Sequence, residues 1–445
     1  MRYFSCTILL AALSGCAVLD PHNVIGRGAA PMQSASPIPE TNPNWWRKPA
    51  LDYVWNTVNE KYYDAKFNGV DWQATRKRYE PQLNAAVSDD AYWELLDKMT
   101  GELRDSHTRV HSPKAAMQQN LNEAHSLGIN FRELTRVDGN ALVLTSVHPE
   151  SDAYWAGARA GMLVTHIDGQ DALPYFNRLV GEVRDSSTAR ARERGAVRKI
   201  TAGDVGTAVS MVFQQSDGTT ITANIKRRVF KVPPRHVERV LPSGFGYVSF
   251  TGFSGAIEKN VLQAITRMKD TPGMVIDLRN NGGGSVEVAG AILSRFLTEK
   301  TVGPKIITRT GKPPSLFFYA PTKLETEIKA NAKDAYTKPL VILTNEGSAS
   351  ASEGFAVILQ ELGRATIVGE RSCGCVLGYL GYAELPGGGR MAYSEIGFVS
   401  PKGKRVEGEG VIPDRGVSLS QEDYLLNRDR TLEAAEALLR ERTAR

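Results

Sequence analysis

Apolar positions recur at helical spacing near the start of the chain. Leu51, Val54, Trp55, Val58 and Tyr62 fall on one face, and Tyr92, Leu95, Leu96, Met99 and Leu103 on another, behind a capping candidate at Ser88. A shorter helical run holds Trp72, Tyr79 and Leu83. The pattern predicts a helical domain over residues 47–115, its aromatics turned to a core. Over 116–230 the runs shorten to strand length, at 141–145, 164–167 and 209–213, with Gly139, Gly169 and Gly218 at turns and helical pieces near 151–156 and 175–183. From 231 to 445 continuous apolar runs (247–250, 274–278, 340–343, 365–368) alternate with helical patterns at 257–268, 286–297 and 351–362. That alternation predicts an α/β domain with a covered sheet, closed by a last helix capped near Thr431. No internal repeat is present.

The first residues obey a different pattern. Arg2 precedes an apolar stretch over 3–13 that ends in Leu13-Ser14-Gly15-Cys16. A positive residue, a short apolar core and small residues before a cut describe an export signal, too short to span a bilayer as a mature helix. The ending resembles the bacterial lipoprotein box, which implies a signal peptide over 1–15, a lipidated Cys16 and membrane attachment through that lipid. Ala17 after the cysteine favours the outer membrane, facing the periplasm. Residues 16–46 carry Pro21, Pro31, Pro37, Pro39 and Pro43 among small polar residues and read as a flexible tether.

Composition narrows the picture. A chain of 445 residues predicts two or three domains, and a net charge of +5 without a Lys/Arg block gives no reason to expect nucleic acid as a partner. Of four cysteines, Cys6 would leave with the signal and Cys16 would carry lipid, leaving Cys373 and Cys375. An oxidising compartment permits a disulfide between them, and two partly buried thiols are the alternative.

The chemistry gathers around Ser350, in Leu343-Thr-Asn-Glu-Gly-Ser-Ala-Ser350-Ala-Ser-Glu353. A buried strand ends, small residues turn, and an apolar helix begins. The hydroxyl then sits at a helix N-terminus, whose free N–H groups and positive dipole end would stabilise an oxyanion. Simple helix capping uses the same residues. A second element, Asp277-Leu-Arg-Asn-Asn-Gly-Gly-Gly-Ser285, follows another buried strand, and its glycines let backbone N–H groups approach a ligand. It matches neither the P-loop nor the dinucleotide fingerprint. No metal-binding spacing is present, and no metal or cofactor is expected.

Together, Asp277–Gly284, the Ala349-Ser350-Ala-Ser-Glu turn, Gly369-Glu-Arg-Ser-Cys-Gly374 and Val406-Glu-Gly-Glu-Gly-Val-Ile-Pro-Asp414 resemble the tail-specific, or C-terminal processing, serine proteases, over about residues 48 to 440. The resemblance implies a ClpP/crotonase-like α/β catalytic domain (231–445), an N-terminal helical domain and an inserted PDZ-like domain (116–230). It implies Ser350 as nucleophile and an oxyanion hole from the N–H groups of Ala351 and Gly283. The segments Ser126-Leu127-Gly128-Ile129, 147–153, 156–161 and 167–169 resemble a PDZ domain, which implies that Ser126 to Ile129 bind a peptide's terminal carboxylate.

One departure matters. Relatives with a Ser-Lys dyad carry Gly-Lys where this chain has Gly374-Cys375. A serine hydroxyl needs a base. Among seven histidines only His107 lies in a recognisable motif, Leu103-Arg-Asp-Ser-His-Thr108. It is similar to the base-bearing segment of the branch that includes the tricorn core protease, which uses a Ser-His-Ser-Glu tetrad. That likeness implies His107 as base, Ser106 beside it and Glu407 as the carboxylate, with Glu409 and Glu395 as runners-up. Asp277 and Arg279 read as structural. The expected function is a serine endopeptidase that cleaves periplasmic proteins or peptides through an acyl-enzyme and selects C-terminal tails. Its partners are protein or peptide substrates. The rival readings are a non-catalytic PDZ-type peptide-binding lipoprotein and a thiol enzyme using Cys375.

Overall fold

The structure is a computed structural model that describes residues 43–312 and 324–444. The expected signal peptide, Cys16 and nearly all of the expected tether lie outside the described residues. No described helix is long and apolar enough to cross a membrane. The chain divides into two compact units, each assembled from separate stretches of sequence.

The first unit is built on helices Arg47–Lys61, Trp72–Asn84 and Asp89–Gly101. Asp71 caps the second by accepting from Ala74 N–H at 2.9 Å, and Ser88 caps the third from Ala91 N–H at 3.1 Å. Asp89 and Asp90 add negative charge to the positive end of that third helix. The buried faces are those predicted: Leu51, Val54, Val58, Tyr62, Trp72, Leu83, Tyr92, Leu96, Met99 and Leu103 share one core. Trp46 stacks on Trp93 within it, with ring centroids 4.7 Å apart.

Residues 376–407, expected within the α/β domain, belong to this helical unit instead. The physical reason is twofold. Strand Arg390–Ala392 pairs antiparallel with Arg109–His111, and Leu385, Met391 and Tyr393 complete the aromatic core. Residues 302–312 and 324–327 also belong here, and strand Thr301–Ile307 pairs with Gly397–Val399.

The second unit holds two layers of different character. Residues 129–226 form an antiparallel sheet in the order Ile129–Arg136, Gly139–Val147, Leu163–Ile167, Ala208–Gln214, Thr220–Lys226. Helices Ala172–Glu182 and Ala189–Thr201 cover its inner face, and Phe131, Leu144, Phe176, Ile200, Met211 and Phe213 fill the space between. Helix Ala189–Thr201 escapes the hydrophobic pattern. It has few large apolar residues, and Gly195 lies in its interior, where a Cβ would meet Val183 Cγ1 at 2.9 Å.

The other large sheet runs His236–Val240, Gly246–Phe250, Met274–Asp277, Leu340–Thr344, Thr366–Gly369, Arg415–Gly416. The first pair is antiparallel and the others are parallel. Strands 274–277, 340–344 and 366–369 are buried along their whole length, as a sheet covered on both faces requires. Because these three are parallel neighbours, the loops leaving their C-terminal ends emerge side by side, the usual place for a site in an open α/β sheet. The last helix spans Arg430–Thr443 and is capped by Asp429, which accepts from Leu432 N–H at 3.0 Å, two residues before the predicted Thr431.

Candidate active site

The three neighbouring strands deliver the glycine loop (278–285), the Ser350 turn and the loop 370–375. Ser350 is the N-cap of helix Ala351–Glu361, with φ 56° and ψ −122°. A non-glycine residue held there is strained by about 1–3 kcal/mol and persists only when its surroundings over-determine it. They do. Ser350 N–H donates to Cys375 O at 2.8 Å and to Glu353 Oε2 at 3.1 Å. Ser348 Oγ donates to Leu278 O at 2.7 Å, and Ala349 N–H donates to Asn281 O at 3.0 Å, lacing the turn to the glycine loop. Ala351, the first helical residue, keeps its N–H free of any hydrogen-bond partner among the described residues. That leaves one donor ready beside the hydroxyl.

Gly283 (φ 94°) lies directly against the nucleophile: a Cβ at this position would stand 2.6 Å from Ser350 Cβ and 2.9 Å from Ala351 N. Only glycine fits. Its own N–H, however, donates to Asn281 Oδ1 at 3.0 Å, an acceptor shared with Ser352 Oγ at 2.8 Å. The Asn281 side chain is buried and anchored through Nδ2 to Phe250 O at 2.9 Å. Of the two predicted oxyanion donors, Ala351 is free and Gly283 is engaged in this turn. Asp277 and Arg279 are structural: the guanidinium pairs with Asp277 at 2.6 Å and with Asp429 at 2.7 Å, tying the glycine loop to the last helix.

Cys373 and Cys375 are joined by a disulfide. Cys375, standing where the dyad lysine would be, is therefore not a thiolate, which removes the physical basis of the thiol reading. The residue missed by sequence reasoning is Glu353. Its Ser-x-x-Glu spacing from Ser350 is that of a capping box and was a usable signal. The side chain is fully buried and accepts from Ser372 Oγ (2.5 Å) and Gly374 N–H (2.7 Å) at Oε1, and from Cys375 N–H (2.8 Å) and Ser350 N–H at Oε2. Burial pushes its pKa up to about 7 against the pull of those donors.

The predicted base lies in the helical unit with its own partners. Asp105, fully buried, accepts from His107 N–H at 2.7 Å and Thr108 Oγ at 2.5 Å, and Thr108 Oγ accepts in turn from Ser394 N–H at 3.0 Å. This net fixes the backbone of the histidine. Its Nδ1 is buried, makes no hydrogen bond among the described residues, and stands 4.0 Å from Asp105 Oδ1. Burial holds the imidazole pKa below the ordinary histidine value, with Asp105 opposing and Arg109 assisting. The ring is therefore neutral at neutral pH, the state a general base needs.

Ser106 is half-buried beside it. Glu407 is buried in the same unit, accepting from Val376 N–H at 2.6 Å and Leu377 N–H at 3.2 Å. It lies close enough to Tyr62 and Tyr63 to help push both phenols upward, as Asp105 does, although burial is the larger cause. Glu409 is exposed, and Glu395 is buried and accepts from Leu380 N–H at 3.3 Å.

The loop 126–129 leads into the edge strand Ile129–Arg136. Leu127 N–H donates to Thr201 O at 3.0 Å and Gly128 N–H to Ser126 Oγ at 3.1 Å. Two amides expected to bind a carboxylate are thus occupied internally. Among the described residues no group of three or more His, Cys, Asp or Glu could hold a metal ion.

Comparison with known proteins agrees with this geometry. Residues 244–417 match the model of peptidase family S41, and residues 47–101 match the tricorn protease C1 domain. A carboxyl-terminal-processing protease of Synechocystis sp. is 27% identical over 371 residues, covering 82% of this chain and 79% of the relative. A chloroplastic carboxyl-terminal-processing peptidase 1 of Arabidopsis thaliana is 25% identical over 368 residues, covering 82% and 70%. Among solved structures, mature CPAF shares the fold with a TM-score of 0.67 at 15% identity, covering 89% of this chain and 98% of that one. The photosystem II D1 C-terminal processing protease does so with a TM-score of 0.54 at 22% identity, covering 88% and 97%. With its strained serine at a helix N-terminus, its glycine loop and these matches, the chain carries a peptidase family S41 domain over residues 244–417 and is a serine-type peptidase.

Proposed function

We propose that this protein is a serine endopeptidase that cleaves peptide bonds of cell-envelope proteins through an acyl-enzyme and selects C-terminal tails. The carrying observation is the Ser350 turn: a strained, over-determined serine with the free Ala351 N–H beside it. His107 takes the proton from Ser350 Oγ as that oxygen attacks the scissile carbonyl carbon. Ala351 N–H and Gly283 N–H donate to the oxyanion, the latter as its bond to Asn281 Oδ1 loosens. Protonated His107 returns the proton to the leaving amine, and water then attacks the ester by the same route. Ser106 and Glu407 orient and tune the imidazole. The bridged Cys375 supports this assignment, because no lysine stands there to act instead.

In this reading the sheet of residues 129–226 is a PDZ-like module, and a peptide adds along the edge strand Ile129–Arg136 once the loop 126–129 releases its internal bonds. Cys16 carries the lipid that anchors the enzyme to the outer membrane on its periplasmic side. The α/β part has the ClpP/crotonase-like arrangement of parallel strands.

A fluorophosphonate probe tests the nucleophile. Intact mass should rise by one adduct, mapped by peptide sequencing to Ser350, and Ser350→Ala should take up none. A wild-type protein that stays unlabelled would instead indicate a peptide-binding relative without catalysis.

A further inference from the structure

We propose that Glu353 is a positioning residue for the Ser350 chemistry: its buried carboxylate clamps the nucleophile's backbone to the Cys373–Cys375 loop. The inference rests on the serine-peptidase reading above. Burying a carboxylate is costly, and the usual remedy is a cation. Glu353 has none among the described residues; it is held by four neutral donors. The distribution is informative. One donor is the nucleophile's own N–H, and the other three come from Ser372, Gly374 and Cys375 in the loop that follows the neighbouring parallel strand.

Helix burial alone does not call for an acid here. The neighbours of Glu353 on the helix are Gly354, Phe355 and Ala356, all buried, and an apolar residue would serve packing equally well. What an apolar residue could not do is bind four N–H and O–H groups at once and so hold two chain segments at fixed separation. The loop is further anchored from its far side. Cys373 N–H donates to Ser348 O at 2.9 Å, and Thr188 Oγ donates to Cys373 O at 2.7 Å. The disulfide shortens the loop's freedom between the two amides that Glu353 binds. Ser350, whose backbone would relax from positive φ if released, is thereby kept with its hydroxyl beside Ala351 N–H.

Each oxygen of Glu353 accepts two bonds, so an amide in its place must aim an NH2 group at N–H or O–H donors in either orientation. Glu353→Gln should therefore label with fluorophosphonate at least about tenfold more slowly than wild type, the scale of losing a hydrogen bond to a charged acceptor. On a peptide substrate kcat should fall by a similar factor with KM nearly unchanged, in protein that still unfolds cooperatively. Ser372→Ala removes one of the four donors and should slow labelling a few-fold, and it decides the matter should Glu353→Gln not fold. Wild-type labelling rates in a folded Glu353→Gln, or in Ser372→Ala where the former is unfolded, would overturn the inference while leaving the peptidase reading intact. An unlabelled wild type would overturn both.

Discussion

The Ser350 turn and the His107 segment are held in place by different means. The serine is set by backbone: three parallel strands end together, and the turns that leave them bind one another through N–H and C=O groups, with Glu353 at the junction. The histidine is set by side chains: Asp105 and Thr108 bind the backbone around it, and the ring's Nδ1 makes no hydrogen bond among the described residues. The first arrangement tolerates almost no change in shape. The second depends on burial and charge, and so it should respond to pH and to the chemistry of its neighbours more than to volume.

Substitutions can break that contrast. The largest effect beyond the nucleophile itself should come from Gly283→Ala, where the added Cβ would collide with Ser350 Cβ. A loss of kcat of about 10²–10³-fold, the scale of a lost oxyanion donor, is expected with the fold retained. Activity near that of wild type would mean that the glycine loop is not part of the site. A smaller loss, of about tenfold in kcat, is expected for Glu407→Gln, which keeps the volume and removes the charge. The contrast sharpens if the pH profile moves in that variant and does not move in Gly283→Ala. If Glu407→Gln is silent in both rate and profile, Glu395 becomes the carboxylate to test.

Much of the fold was legible because burial writes itself plainly into sequence. The continuous apolar runs at 247–250, 274–278 and 340–343 became strands within a residue or two, and the helical stripes of 51–62 and 92–103 became one core. Residues 376–407 were assigned to the wrong part of the chain for a related reason. The strands of this segment are only two or three residues long and carry no period, and the pairing of Arg390–Ala392 with Arg109–His111 reveals where the segment belongs. In the site, Ser350 and Gly283 were readable from turn chemistry. The occupied Gly283 N–H was not, since it depends on which way the Asn281 amide points. Glu353 was hidden by its apolar surroundings, where an acid reads as a helix cap and not as the hub of a buried hydrogen-bond net.

The central claim is that His107 supplies the base for Ser350. It is tested most directly by the rate of fluorophosphonate labelling across pH, in wild type and in His107→Ala. Burial holds the imidazole below its ordinary pKa of 6.5, so the neutral form persists through neutral pH and is lost only as pH falls through that lower value. Wild type should lose labelling rate on the acid side, as the imidazole takes up its proton. His107→Ala should label at least about 10²-fold more slowly, without that acid limb. An alanine variant that labels at the wild-type rate, with the same dependence on pH, would contradict the assignment.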